Sequence, residues 1–337
     1  MKKNYQIIVG FDVAKAKLDY CILSVGCIDT CSFGCIQNTE KAIKHFISSI
    51  LKKEKQKDIL FCLENTGVYS MPVSYWLQEA KLDYWVVSAL EVKRAKGICR
   101  GKTDKADSKD IAFYALSHLH QLKLSTLPEK DFLQLRLLLA EREKLIKSLG
   151  IFKTTNENKN FLPAEILKSV LAHNKKTVAL LEQQLKAIEK LIQDIIDGNA
   201  LLKEQSTLLQ SVPGIGPQTC INLIAYTNAF SSFQNWRKFA CYCGIAPFPY
   251  ESGSRVRGKT KVNHIANKKL KSLLNLAALS AKRTDTEIKQ YFERKVKEGK
   301  NKMLVLNAIR CKIISRAFAV IQRNTPFVDL YKFANAS

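Results

Sequence analysis

No apolar run in this chain approaches the roughly 20 residues that a bilayer-spanning helix needs, and a membrane anchor is thereby excluded. Glycine and proline are few, 14 and 8 among 337 residues, which excludes collagen-like and low-complexity architectures. The first residues, MKKNYQIIVGFD, start an apolar run that Asp12 interrupts before a signal-peptide core forms, so a cytoplasmic location is expected. Among the ten cysteines there is no paired C-x2-C arrangement. Cys27, Cys31 and Cys35, or Cys241 and Cys243, read as buried thiols of a reducing compartment in preference to zinc ligands.

Acidic residues are also scarce, 30 against 54 Lys and Arg, for a formal net charge of +24. With 46% hydrophobic and 25% charged residues the chain is globular and long enough for two or three domains. The charge is uneven: residues 206 to 337 hold 22 basic and only 6 acidic groups. A basic excess of that size binds polyanions by releasing their counterions, and nucleic acid is the abundant polyanion of the cell. The plainer reading is a solvated basic face.

The first third alternates strand-like and helix-like segments. Residues 5–11, 18–25 and 28–36 are rich in β-formers and closely spaced, which predicts a three-stranded antiparallel meander. A helix over 40–53 follows, with Thr39 as its N-cap, then strands at 59–63 and 83–87 and helices near 68–80, 90–98 and 106–120. In that order Asp12 immediately follows the first strand, Glu64 immediately follows the fourth, and Asp104 and Asp107 stand three apart at the start of the last helix. Carboxylates at neighbouring strand ends converge at one sheet edge, and residues i and i+3 share a helix face. Four acids that close repel one another, so the arrangement makes sense around divalent cations such as Mg²⁺ or Mn²⁺, which can clamp a scissile phosphate. Asp110 continues the series on the same face and reads as an outer acid.

Residues 127–205 form a helical connector: a helix over 129–149, a break at NENKN and Pro163, then apolar positions Val178, Leu181, Leu185, Ile188, Ile192 and Ile195 at alternating spacings of three and four. A helical hairpin or a coiled coil that joins protomers into a dimer or tetramer follows from that spacing. Beyond it, Pro213-Gly214-Ile215-Gly216 between two apolar helical stretches resembles a helix-hairpin-helix, in which Gly214 and Gly216 would let backbone N–H groups approach a phosphate; a tight turn between core helices is the alternative. Further on, Pro247, Pro249, Gly253 and Gly258 suggest a loop carrying Ser252 and Ser254 among Arg255, Arg257, Lys259 and Lys261. Such a hydroxyl can attack phosphorus beside cations, or merely cap a helix or contact phosphate.

The segments VGFDVAKAKLDYCIL, LENTGVYS and GKTDKADSKDIAFYA resemble, in order and spacing, the DEDD transposases of bacterial insertion sequences, whose N-terminal domain resembles the Holliday-junction resolvase RuvC. The resemblance covers about residues 5–320. It implies an α/β plus mainly α protein: a ribonuclease H-like domain over 1–126, the connector over 127–205 and a basic, mostly helical domain over 206–337. It further implies double-stranded DNA at element ends and target as substrate, a structured bridge RNA as guide, and a serine nucleophile completing the Mg²⁺ tetrad, with the enzyme at the nucleoid when bound. Ser252 matches the serine position, although Glu251 and Ser254 depart from the family's Ser-Ser-Gly-Gly, and Ser254 is the second candidate. His264-Ile265-Ala266-Asn267 departs from a Lys-x-Gly-Asn turn. Two other classes remain: a metal-dependent junction nuclease in which water attacks, and a non-catalytic nucleic-acid-binding protein.

Overall fold

The computed structural model describes residues 3–54, 58–97, 103–154, 163–252 and 256–329. The chain divides into two compact units, Met1–Leu127 and Pro128–Ser337.

In the first unit β1 (Ile7–Val13), β2 (Lys17–Ser24) and β3 (Cys27–Gln37) form an antiparallel meander, because their links are too short for any crossover. Helix α1 (Glu40–Lys53) then carries the chain to β4 (Ile59–Glu64), which pairs in parallel with the other side of β1. After α2 (Met71–Glu79), β5 (Asp83–Val87) adds in parallel to β4, so the mixed sheet has the order β3-β2-β1-β4-β5. Thr39 occupies the N-cap of α1 as expected from the sequence, but its side chain makes no capping hydrogen bond.

Strand β1 is central and covered on both faces, which is why it reads as an almost unbroken apolar run. Ile7, Val9, Phe11 and Val13 pack against Phe46 and Ile50 of α1 and Leu77 of α2. Ile8 on the opposite face joins Ile111, Ala112 and Ala115 of α4 (Asp104–Ser117) and Val92 of α3 (Ala89–Ala95). Gly10 shares that face, and a Cβ there would stand 2.5 Å from the Ser108 carbonyl oxygen and 2.6 Å from the Ala112 nitrogen. Backbone cannot retract as a side-chain tip can, so Gly10→Ala should lift α4 from the sheet at a cost of about 1–3 kcal/mol. Chemical denaturation of the variant checks this, and unchanged stability would mean that α4 has room to shift.

The second unit is helical apart from one hairpin. Helices α5 (Lys130–Thr154) and α6 (Ala164–Gly198) pack side by side. Arg142 pairs with Glu189 at 2.8 Å and Lys153 with Glu182 at 2.8 Å, so the two helices run antiparallel. The heptad-like run of α6 thus has a partner within its own chain, as the hairpin alternative expected. Phe132 and Leu139 of α5 and Ile192 and Ile196 of α6 enter the same core as Leu209 of α7 (Ala200–Gln210), Ile224 of α8 (Pro217–Thr227), Phe239 of α9 (Trp236–Tyr242), Leu274 of α10 (Lys268–Thr284), Ile288 of α11 (Thr286–Lys297) and Ile313 of α12 (Lys302–Arg323).

The segment expected as a loop around the serines is instead the two-stranded hairpin β6 (Pro247–Ser252) and β7 (Val256–Val262). Tyr250, Val256, Thr260 and Val262 are strand formers that outweigh the prolines and glycines. The register shifts between Phe248 and Tyr250, around Pro249, which has no N–H to give a ladder. Among the described residues no helix is long and apolar enough to cross a membrane.

Candidate active site

Asp12 is the sixth residue of β1, inside the strand and not beyond it. Because Phe11 pairs with Leu63, the next residues, Asp12 and Glu64, stand side by side on adjacent parallel strands. Alternation puts both on the face opposite Phe11 and Leu63, the face that α4 covers. Helix α4 starts two residues earlier than the periodicity suggests, at Asp104, since the Thr103 hydroxyl accepts from the Ala106 N–H and caps it. Asp104 and Asp107 both occupy its first turn, where the helix dipole favours anions. Seated on Gly10, α4 brings this turn to Asp12, one pleat further along β1.

The electrostatics register that convergence. Asp12 is half-buried, and its carboxyl is pushed up to about 6, first by burial and then by the carboxylates of Asp107, Glu64, Asp104 and Asp19. Asp19 was not among the residues singled out from the sequence. It lies directly opposite Asp12 in the β1–β2 ladder, and the segment KLDYCIL gave the only hint, through the tightness of the meander. Two lysines answer the acids. Lys17 lies 2.6 Å from Asp104 and 3.0 Å from Asp19. Lys96, just past the end of α3, donates to the Asp107 carboxylate and stands 2.7 Å from Asp110. Burial alone would lower the Lys96 pKa, but the hydrogen bonds that the ammonium donates to Asp107 and Asp110 outweigh it and hold the group above its ordinary value.

The donor set suits a hard divalent cation: oxygen ligands only, on a rigid strand pair and a capped helix. The carboxyl groups are not drawn into one cage, and among the described residues no group of three His, Cys, Asp or Glu is close enough to share an ion. Each α4 aspartate of the first turn pairs with a lysine, Asp104 with Lys17 and Asp107 with Lys96. Of the described cysteines, Cys21, Cys62, Cys220 and Cys243 are buried thiols, whereas Cys27, Cys35 and Cys241 are exposed.

In the second unit Ser252 ends β6, and its backbone pairs with Val256 across the hairpin. Arg257 and Lys259 lie on β7, Lys261 on the same strand is exposed, and Ser254 and Arg255 lie outside the described residues. The two glycines of the expected helix-hairpin-helix differ. Gly214 has φ +92, and a Cβ there would meet the Ala277 carbonyl oxygen at 2.4 Å, so this glycine lets α10 approach closely. Gly216 is the exposed N-cap residue of α8, with open space around it. Several cations of this unit have structural partners, among them Arg316 with Asp285 and Glu287. Arg237, Lys238, Lys268, Arg283 and Lys297 remain exposed.

Comparison with known proteins matches two segments of the chain, of which the first extends past the first unit into α5 and the start of α6. A family model of DEDD transposases of the IS110 type matches residues 9–164, and the model described as the transposase IS116/IS110/IS902 family matches residues 206–293. The chain is 26% identical to the pilin gene-inverting protein of Moraxella bovis over 333 residues, 97% of this chain and 98% of that one. The same identity over 149 residues relates it to an insertion element IS110 protein of Streptomyces coelicolor, covering 44% of this chain and 36% of the relative. Thermus thermophilus RuvC, solved with a Holliday junction substrate and described as "T. thermophilus RuvC", covers 36% of this chain and 100% of its own at 10% identity and a TM-score of 0.28. With the acidic residues of the first unit inside one matched segment and Ser252 inside the other, this chain belongs to the DEDD transposases of the IS110/IS116/IS902 family.

Proposed function

We propose that this transposase cuts and rejoins DNA strands at the ends of an insertion sequence and at its target, using a tetrad of Asp12, Glu64, Asp104 and Asp107 and the Ser252 hydroxyl as nucleophile. The observation that carries the reading is geometric: Asp12 and Glu64 stand side by side on adjacent strands, on the face covered by α4, whose first turn bears Asp104 and Asp107. The strand order β3-β2-β1-β4-β5, a meander extended by two parallel strands, supports a ribonuclease H-like assignment for the first unit.

The tetrad residues would hold Mg²⁺ or Mn²⁺, which supplies charge neutralisation at the scissile phosphate. The Ser252 Oγ attacks phosphorus as its proton passes to a base, the bridging DNA oxygen leaves with the electron pair of the broken bond, and a phosphoserine ester conserves that bond for rejoining. Arg257, Lys259 and Lys261 on β7 supply positive charge to the phosphates near this serine, joined by Ser254 and Arg255 of the connecting residues. Gly216 at the start of α8 offers backbone N–H groups to a further phosphate, while Gly214 serves the packing of α10. The chain works in the cytoplasm on chromosomal DNA, as a dimer or tetramer, since exchange between two duplexes needs several active sites. The basic second unit and the family resemblance support a structured bridge RNA as guide.

Binding of a labelled element end should weaken steeply as salt rises, about tenfold or more between 50 and 200 mM, because each neutralised phosphate releases counterions. A salt-insensitive affinity would contradict the polyanion reading. Cleavage and rejoining of the same DNA with Mg²⁺ and guide RNA tests the reaction itself; failure of cleavage under those conditions would overturn it.

A further inference from the structure

We infer that Lys96 is the resident counter-ion of the tetrad, holding Asp107 while no divalent cation is bound and passing to Asp110 when one enters. The inference rests on the tetrad reading above. Lys96 sits at the C-cap of α3, its backbone N–H donating to the Val92 carbonyl. Gly97 follows at φ +67, a left-handed turn that ends the helix. The ammonium is thus presented from a fixed point, and its side chain is only 22% exposed. It contacts Asp107 and Asp110, whose side chains are 15% and 31% exposed and which share one face of α4 at i and i+3.

Charge explains the need. Asp107, Glu64, Asp104 and Asp19 all act on the Asp12 carboxyl, and like charges gathered so closely repel one another. Lys17 offsets the Asp104 and Asp19 side, and Lys96 offsets the Asp107 side. An ammonium in contact with Asp107 repels a divalent ion arriving at the same carboxylate, so Lys96 must yield. Asp110, already 2.7 Å away, is the partner that retains it. Metal entry therefore exchanges one cation for another, and the metal's apparent affinity carries the cost of releasing Lys96.

The test is calorimetric titration of MnCl₂ and of MgCl₂ into the full chain without nucleic acid, at one pH, for wild type, Lys96→Met, Lys96→Gln, Lys96→Arg, Lys93→Met and Asp12→Asn. Lys93 is exposed on α3 and controls for loss of one positive charge. We expect Lys96→Met and Lys96→Gln to bind the ion about three- to tenfold more tightly than wild type, Lys93→Met and Lys96→Arg to stay within about twofold, and Asp12→Asn to lose most of the affinity. Melting in EDTA should show Lys96→Met less stable than Lys93→Met, since Asp107 and Asp110 then lose the Lys96 ammonium. Affinity in Lys96→Met no greater than in Lys93→Met, with Asp12→Asn still defective, overturns the inference and leaves the tetrad standing. Wild-type affinity in Asp12→Asn overturns the tetrad, and this inference with it. The Gln variant keeps the outcome readable should the Met variant fail to fold.

Discussion

Asp12→Asn should lower strand cleavage by about a thousandfold or more, on the order of 4 kcal/mol of transition-state stabilisation, while changing DNA affinity by less than about twofold. Cleavage falls because Asp12 stands beside Glu64 and feels the carboxylates of Asp107, Glu64 and Asp104. Affinity holds because the second unit carries most of the basic excess. The same substitution has an opposite effect on stability. Burial and the neighbouring carboxylates push the Asp12 carboxyl up to about 6 from an ordinary value of 3.8, so between these values the folded chain keeps a proton that the unfolded chain has lost. Stability therefore falls as pH rises through that window, and the penalty is complete above about pH 6. Asn carries no such penalty. In EDTA at pH 7 the variant should be more stable than wild type, by on the order of 1 kcal/mol once solvent screening of a half-buried group is allowed for, and the two should converge near pH 4. Denaturant melts at both pH values measure the difference, and kinetics on labelled DNA measure the cleavage. Wild-type cleavage in Asp12→Asn would remove the tetrad as the catalytic centre.

Ser252→Ala should abolish a protein–DNA adduct that otherwise survives denaturation, and strand rejoining with it, by about a thousandfold or more. Ser252 ends β6, and the hairpin register places it opposite Val256. A nucleophile there is carried by a paired strand on one side, which limits its excursions. Ser254→Ala should keep the adduct. Loss of the adduct only in Ser254→Ala would place the nucleophile two residues further on, in line with the Glu251 departure. Cleavage without any adduct, with both serines present and Mg²⁺ and guide supplied, would make water the nucleophile and this chain a nuclease of the junction-resolving kind. Gel mobility of denatured reaction mixtures with end-labelled DNA separates the three outcomes.

Much of the first unit could be read directly from the chain because its signals are local. Strand-forming runs joined by short links admit only a meander, and alternation assigns each residue a face once the strand limits are known. The hairpin β6–β7 escaped that reading because two prolines and two glycines dominate the local composition, whereas the pairing that holds the strands comes from residues on both sides of the turn. Gly214 escaped it for a related reason: a glycine that allows a turn and one that admits a neighbouring helix look alike until α10 is seen against it.

What the sequence by itself determined is the charge of the second unit, the order of strands and helices, and the candidacy of four acids beside the first strand, beside the fourth and at the start of the last helix of the first unit. These depend on composition and on periods of two and 3.6 residues, which any short window carries. Only the tertiary structure decided that α4 rests on Gly10, that Asp19 faces Asp12, that Lys17 and Lys96 hold the α4 aspartates, and that α6 finds its partner in α5. A period tells which face of an element is apolar, but the partner of that face, and the charges brought beside it, are set by packing between residues far apart in the chain.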